Sequence, residues 1–296
     1  MEGFDVKLSY GHMQENSGKR RRETMIDGHT KLVCLIGNPA RHSLSPLIHN
    51  TGYKTLGLNC RYMAFEIEEL EKTVDGLKEM DVAGFNVTMP FKQSIIKQLD
   101  KINEHAKKIH AVNTVVNRNG KFVGYNTDGV GAVNALKKVT KIKGREVLLF
   151  GAGGAGRAIA FALQKEKAKI TISEKTASKG KALAKEVKGK FVPLSNAIKT
   201  NPDIIINATP AGMKPNINSS VIPKEFLRKQ MVVFDIVYNP LETKLLKDAK
   251  AKGCKTINGV EMLLEQAYKS FEIFTGKKAP RNEIRKAVLK ELKLNN

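Results

Sequence analysis

At 296 residues the chain exceeds one ordinary domain, and with 41% hydrophobic and 27% charged residues it can bury two globular cores. No apolar run approaches the roughly 20 residues that a membrane-crossing helix requires, and residues 1–30 lack the apolar stretch of a secretory signal, carrying Lys19-Arg20-Arg21-Arg22 instead. The formal charge of +22 raises nucleic acid as a partner, but aromatic residues are only 6% and Trp is absent, so bases would find few stacking surfaces.

Most of the basic excess falls in residues 128–264. It reads either as a solvated basic surface or as a field that draws an anionic cofactor. Residues 1–30 are expected to form a polar extension. Cys34, Cys60 and Cys254 are isolated, which argues against a metal knuckle or a disulfide framework and for a cytoplasmic chain. No metal site, nucleic-acid partner or membrane partner is expected.

From residue 31 onward, short apolar runs alternate with longer amphipathic stretches, the pattern of βαβ units and a largely parallel sheet. The first series predicts strands at Leu32–Gly37, Arg61–Phe65, Ala83–Val87 and Val112–Asn117, with helices near Pro46–Leu58, Glu68–Met80 and Phe91–Asp100. After an interrupting helix, the second predicts strands at Glu146–Phe150, Lys169–Ser173, Asp203–Asn207 and Val232–Ile236. Its helices are expected near Gly154–Lys165, Thr176–Val187 and Glu242–Lys252. Helices over Val260–Phe274 and Asn282–Leu294 close the chain, punctuated by Gly276 and Pro280. The fold class is α/β with two α/β domains and a cleft between them.

The polar residues follow the same order. Ser43 and Ser45 alternate just before a helix that Pro46 can start; if the segment is extended, both hydroxyls face one direction and can donate to one carboxylate, and Ser45 could equally cap that helix. Asn86 and Thr88 share a strand face. Lys92 then falls in the first turn of the helix expected at Phe91, where the dipole disfavours a cation by about 0.3–1 kcal/mol. Such a placement suits a group that exchanges a proton, although a solvent-facing lysine is the plain alternative. Asn113, Thr127 and Asp128 cluster where the two series meet. Asp128 either caps the following helix or holds Lys92.

The strand Glu146–Phe150 runs into Gly151-Ala152-Gly153-Gly154-Ala155-Gly156-Arg157 and an Ala-rich helix. Glycines at this spacing allow the tight turn and the close backbone approach that a pyrophosphate needs at a helix N-terminus. Glu174, 23 residues after Gly151, ends the next strand, where a carboxylate usually accepts the ribose 2′-hydroxyl of NAD. Lys175, Lys179 and Lys181 lie close enough in sequence to hold the extra phosphate of NADP.

In order and spacing these motifs resemble the shikimate dehydrogenase family over residues 31–293. The Ser-x-Ser element is followed by Gly-x-Asn-Val-Thr-x-Pro-x-Lys, Gly-Ala-Val-Asn-Thr written here as Ala-Val-Asn-Thr from Ala111, and Gly-x-Asn-Thr-Asp-Gly. Gly-Ala-Gly-Gly, Asn-Ala-Thr-Pro-x-Gly-Met, Asp-x-x-Tyr-Asn-Pro and Asn-Gly-x-x-Met-Leu-x-x-Gln begin at Gly151, Asn207, Asp235 and Asn258. The departure is Glu174-Lys175-Thr176, where the family typically shows Asn-Arg-Thr.

The resemblance implies reversible, NADP-dependent reduction of 3-dehydroshikimate to shikimate on the route to chorismate and the aromatic amino acids. It implies Lys92 and Asp128 as the catalytic pair and Ser43 and Ser45 on the substrate carboxylate. Asn86, Thr88, Asn113, Thr127, Tyr238 and Gln266 would hold the remaining substrate groups. Gly151, Ala152, Gly153, Gly154, Ala155, Gly156, Glu174, Lys175, Thr176 and Lys179 would hold the dinucleotide, walled by Ala208, Thr209, Met213, Ile236, Gly259 and Met262. Residues 31–127 with 261–296 would form the substrate domain and residues 128–260 the Rossmann-type cofactor domain, in a monomer or homodimer. Glu174 leaves NAD open as the cofactor, a quinate or dual quinate/shikimate dehydrogenase is the near alternative, and a catalytically silent nucleotide-sensing regulator is the alternative of another class.

Overall fold

The computed structural model describes residues 26–294. The polar extension expected over residues 1–30 lies outside that range up to residue 25, and its last residues belong to the folded chain. Asp27 Oδ1 accepts from Asn59 Nδ2 at 3.0 Å, and the Thr30 hydroxyl donates to Asn59 Oδ1 at 2.8 Å. Among the described residues, no helix is long and apolar enough to cross a membrane.

The first sheet contains β1 (Lys31–Gly37), β2 (Cys60–Glu66), β3 (Gly84–Val87), β4 (Lys101–Ile102), β5 (Thr114–Arg118) and β6 (Lys121–Tyr125) in the order β2-β1-β3-β5-β6-β4. Three of its five ladders are parallel; the hairpin β5–β6 makes the other two antiparallel. Helices α1 (Ser45–Leu56), α2 (Leu70–Glu79) and α3 (Glu104–Ile109) accompany it. One face buries Val33, Leu35, Ile48 and Tyr62, the other Cys34, Ile36, Val74 and Phe85. The period-2 alternation of β1 thus feeds both cores, which is why this strand reads as a continuous apolar run.

After α4 (Asp128–Lys137), the second sheet contains β7 (Glu146–Phe150), β8 (Lys169–Ser173), β9 (Lys190–Val192), β10 (Ile204–Asn207), β11 (Val232–Asp235) and β12 (Lys255–Ile257), all parallel, in the order β12-β11-β10-β7-β8-β9. Counted from β7, this is the 3-2-1-4-5-6 order of dinucleotide-binding sheets, whose ligands sit where the winding reverses, between the first and fourth strands. Helices α5 (Gly154–Lys165), α6 (Ala177–Glu186) and α7 (Lys244–Ala251) flank it. The last helices, α8 (Gly259–Thr275) and α9 (Arg281–Leu294), send Leu264, Phe271, Ile284 and Val288 into the core of the first sheet.

Two expectations are corrected. Phe91–Asp100 is no α-helix: a turn leads into a 3-10 segment, Ser94–Gln98, and the two-residue strand β4. The carbonyl of Lys92 accepts from Val112 N at 2.8 Å, so it is lost to any helical ladder. The strand expected over Val112–Asn117 begins at Thr114 and runs antiparallel, because it is the first half of a hairpin.

Candidate functional site

Lys92 follows β3 and Asp128 opens α4. Lys92 Nζ lies 2.6 Å from Asp128 Oδ2, and the side chains are 19% and 5% exposed. The helix field invoked for Lys92 is therefore absent, since no helix starts there, and its electrostatic partner is a carboxylate. Asp128 does not cap α4 either. Its second oxygen accepts from Asn113 Nδ2 at 2.9 Å, while its backbone amide donates to Asn126 Oδ1 at 3.0 Å. Asn126 also donates to Ala111 O, so the strand lead-in and the start of α4 are tied together beneath the pair.

The remaining polar groups lie along the first sheet, at the start of α1 and on α8. Ser43 and Ser45 are not extended: Ser45 is already helical, and its amide donates to Ser43 Oγ at 3.1 Å. Their hydroxyls nevertheless meet, at 3.1 Å. Ser45 forms no side-chain cap, so the capping alternative is set aside. Asn86 is buried on β3, and Thr88 packs over Gly37 at the end of β1. Asn113 also reaches Thr127 Oγ1 at 2.9 Å and Gln266 Oε1 at 3.4 Å. Gln266 is held on α8 by Nε2 donating to Leu263 O. Tyr238 follows β11 and packs against the core of the first sheet. The structure thus joins Lys92, Asp128, Asn113, Thr127 and Gln266 in one network.

The glycine loop joins β7 to α5 at the reversal of the second sheet. A Cβ on Gly156 would lie 2.2 Å from Gly151 O, so the turn closes only with glycine at that position. No side chain caps the first turn of α5, a 12-residue helix, and its amides remain to meet a phosphate. These features fit a dinucleotide. Glu174 Oε2 accepts from Ala152 N at 2.8 Å and Oε1 from Thr176 N at 3.1 Å, which sets the carboxylate beside the loop; Lys175 and Lys179 are exposed nearby.

Two further loops border the reversal. Asn207, at the end of β10, accepts from the Thr209 amide and hydroxyl and donates to Asp235 Oδ1 at 3.0 Å. Asp235 is fully buried and also accepts from Val237 N and the Thr243 hydroxyl; burial pushes its carboxyl up to about 6 against these donors. Ala208 and Met213 stand in the loop after β10 and Ile236 in the loop after β11. Gly259 begins α8 so closely against Ile236 that a Cβ would lie 2.2 Å from its carbonyl oxygen. Met262, one turn on, is buried in the second core.

The two sheets face each other at this point. A Cβ on Gly154 would lie 3.2 Å from Lys92 Cβ and 3.3 Å from its Cδ. An ammonium–carboxylate pair, a set of hydrogen-bonding groups and a dinucleotide loop therefore share one gap, the equipment for moving a proton and a hydride at one carbon. Among the described residues, no group of three or more His, Cys, Asp or Glu is placed to hold a metal ion. The sequence reading missed Tyr62 and Thr114, which bond to Asn86, and Arg157, which reaches the first sheet's side through Ile109 O at 2.7 Å. Thr114 and Arg157 stood inside recognised motifs, whereas nothing local marked Tyr62.

Comparison with known proteins agrees with this geometry. The description "Shikimate dehydrogenase substrate binding domain" matches residues 35–115, "Shikimate / quinate 5-dehydrogenase" residues 134–249, and "Shikimate 5'-dehydrogenase C-terminal domain" residues 259–289. A shikimate dehydrogenase (NADP+) of Pyrococcus abyssi is 46% identical over 83% of this chain and 92% of its own. That of Methanocaldococcus jannaschii is 47% identical over 85% and 94%. A crystal structure of a shikimate dehydrogenase in complex with NADP+ superimposes with a TM-score of 0.86 at 44% identity, covering 90% of this chain and 98% of that one.

Proposed function

The chain belongs to the shikimate dehydrogenase family, and from that premise we propose that it catalyses the reversible, NADP-dependent reduction of 3-dehydroshikimate to shikimate. The observation that carries this is the Lys92–Asp128 pair, 2.6 Å across, packed against Gly154 of the dinucleotide loop. When bound, the nicotinamide dinucleotide supplies or accepts the hydride.

The protein's own groups do the rest. In the reducing direction the Lys92 ammonium gives a proton to the substrate oxygen as the carbonyl becomes an alcohol; in oxidation it takes that proton back. Asp128 fixes Nζ through Oδ2, while Asn113 holds its other oxygen, so the acid/base group has one orientation. Ser43 and Ser45 hold the substrate carboxylate. Asn86, Thr88, Asn113, Thr127, Tyr238 and Gln266 hold the ring hydroxyls and close the pocket against water. Ala208, Thr209, Met213, Ile236, Gly259 and Met262 wall the nicotinamide end. Residues 31–127 with 261–296 act as the substrate domain and residues 128–260 as the cofactor domain, so the reaction takes place where the two meet.

One observation favours NAD as a second cofactor: the Glu174 carboxylate stands beside the glycine loop, where a ribose 2′-phosphate would meet like charge. Measuring kcat/KM for shikimate and quinate, each with NADP and NAD, tests both points. Shikimate with NADP is expected to be the best pair. Faster turnover of quinate, or no oxidation of shikimate with either cofactor, overturns the assignment.

A further inference from the structure

Beneath the groups assigned to the substrate runs one unbroken series of hydrogen bonds, and two of its members, Tyr62 and Thr114, have no part in the assignment above. The series starts at Tyr62, buried on β2. The Tyr62 hydroxyl donates to Asn86 Oδ1 at 2.7 Å. Asn86 Nδ2 donates to Asn113 O at 2.9 Å and to Thr114 Oγ1 at 3.0 Å. The Thr114 hydroxyl donates in turn to Asn113 Oδ1 at 2.9 Å. Asn113 Nδ2 donates to Asp128 Oδ1 at 2.9 Å, and the other oxygen of Asp128 holds Lys92.

Proton counting fixes the direction of every link. A hydroxyl has one proton to give and a carboxamide two. Asn86 must turn its amide towards the carbonyl oxygen of Asn113, so both its protons are spent and its oxygen is left for Tyr62. Thr114 receives one of those protons and can only give its own to Asn113 Oδ1, which also accepts from Thr127 N at 2.9 Å. The oxygen of Asn113 is then saturated from below, and its NH2 is the end presented to Asp128 and the pocket. Tyr62 is 2% exposed and stacks on His49 with ring centroids 4.4 Å apart; Thr114 is fully buried. Neither can touch a substrate.

We propose that Tyr62 and Thr114 are positioning residues for substrate binding: Tyr62 orients the Asn86 carboxamide, and Thr114 locks the Asn86 and Asn113 carboxamides to each other. This rests on the reading of Asn86 and Asn113 as substrate groups. Losing the Tyr62 hydroxyl leaves the Asn86 oxygen without its inner donor. Losing the Thr114 hydroxyl strands one N–H of Asn86 and one acceptor site of Asn113, both out of reach of water. The dinucleotide loop takes no part in the series.

The test compares Tyr62→Phe, Thr114→Val and Thr114→Ser in the full chain. Tyr62→Phe and Thr114→Val are expected to raise the KM for shikimate about tenfold, the scale of one lost buried hydrogen bond, with the KM for NADP within about twofold of the parent. Thr114→Ser, which keeps the hydroxyl, is expected to restore the shikimate KM. A shikimate KM that stays put in both Phe and Val variants overturns the proposal, as does a parallel rise for both ligands that tracks lost thermal stability. The side-chain NH2 resonances of Asn113, identified by their loss in Asn113→Asp, give a reading that needs no turnover. They are expected to move in Thr114→Val and to return in Thr114→Ser; resonances unmoved in Thr114→Val overturn the proposal. If the parent protein does not oxidise shikimate, the proposed function fails, and these resonances still decide the roles of the two residues.

Discussion

Lys92 follows β3 of the first sheet and Gly154 opens α5 beside the second, yet a Cβ added to Gly154 would lie 3.2 Å from Lys92 Cβ. The proposed acid/base pair is thereby pressed against the start of α5, where the dinucleotide phosphates are expected. A positioned acid/base group contributes about 10²–10⁴-fold, so Lys92→Ala is expected to lower kcat by that range with much less change in the KM for shikimate. Absorbance of NADPH follows the reaction. Asp128→Asn removes the charge that holds Nζ and is expected to lower kcat as well. Each variant also leaves the other member of a little-exposed pair without its counter-charge, which costs stability. The melting curve must therefore show folded protein at the assay temperature. Normal kcat in a folded Lys92→Ala variant removes the lysine from the mechanism.

Glu174 spends its oxygens on Ala152 N and Thr176 N, at 2.8 and 3.1 Å. The carboxylate is thus fixed beside the loop and cannot swing away from an incoming 2′-phosphate without losing those bonds. Replacing Glu174 with Asn removes the like charge, and is expected to raise kcat/KM for NADP about tenfold, equivalent to about 1.4 kcal/mol, while lowering it for NAD. Rates at low and high salt check the cause, because a charge effect at an exposed site fades as ionic strength rises. If both cofactors respond equally, the ribose lies elsewhere.

The parts of the fold that could be read from the chain are those whose cause is local. β1, β7, β8 and β10 are short β-branched or Leu-rich runs ended by turns, and the glycine loop follows from backbone crowding that only Gly156 relieves. The segment after Pro90 could not be read, because the bond that displaces the helix joins Lys92 O to Val112 N, 20 residues away. β9 and β12 are three-residue edge strands with partly exposed side chains, too short to show a period. The site divides in the same way. Lys92, Asp128, Asn113 and the serines stood out as polar residues in recognisable motifs, whereas the Tyr62 hydroxyl gains its place only through Asn86 on β3.

His49 is fully buried within the aromatic cluster of Tyr53, Tyr62, Phe271 and Phe274, and burial lowers its imidazole to about 3 from an ordinary 6.5. The folded protein keeps it neutral, while the unfolded chain protonates it below pH 6.5. Its contribution is therefore intact above pH 6.5 and is lost as the pH falls towards 3, at up to about 1.4 kcal/mol per pH unit. His49→Phe keeps a ring on Tyr62 and removes the titration. Urea unfolding at pH 7, 5.5 and 4.5 is expected to show a shallower loss of stability with acid than in the parent. Equal slopes would mean that the folded protein takes up the proton at the same pH as the unfolded chain.

Arg157 ties the two halves of the molecule together from the third position after Gly154. Its Nε donates to Ile109 O at the end of α3 at 2.7 Å, and its guanidinium grips Glu186 on α6 at 3.0 and 2.7 Å, with only 12% of the side chain exposed. The fork serves a carbonyl on one side and a carboxylate on the other, a geometry that lysine cannot reproduce. Arg157→Ala leaves Ile109 O without its donor, at a cost of about 1–3 kcal/mol, and removes a bond between α5 and the end of α3. Transfer between two bound partners depends steeply on their separation. The variant is therefore expected to lose more in kcat than in the KM of either substrate, and Arg157→Lys to recover only part of the loss. Steady-state kinetics at saturating and limiting NADP separate these effects. A KM for NADP that rises while kcat stays constant would make Arg157 a cofactor ligand and not a brace between the sheets.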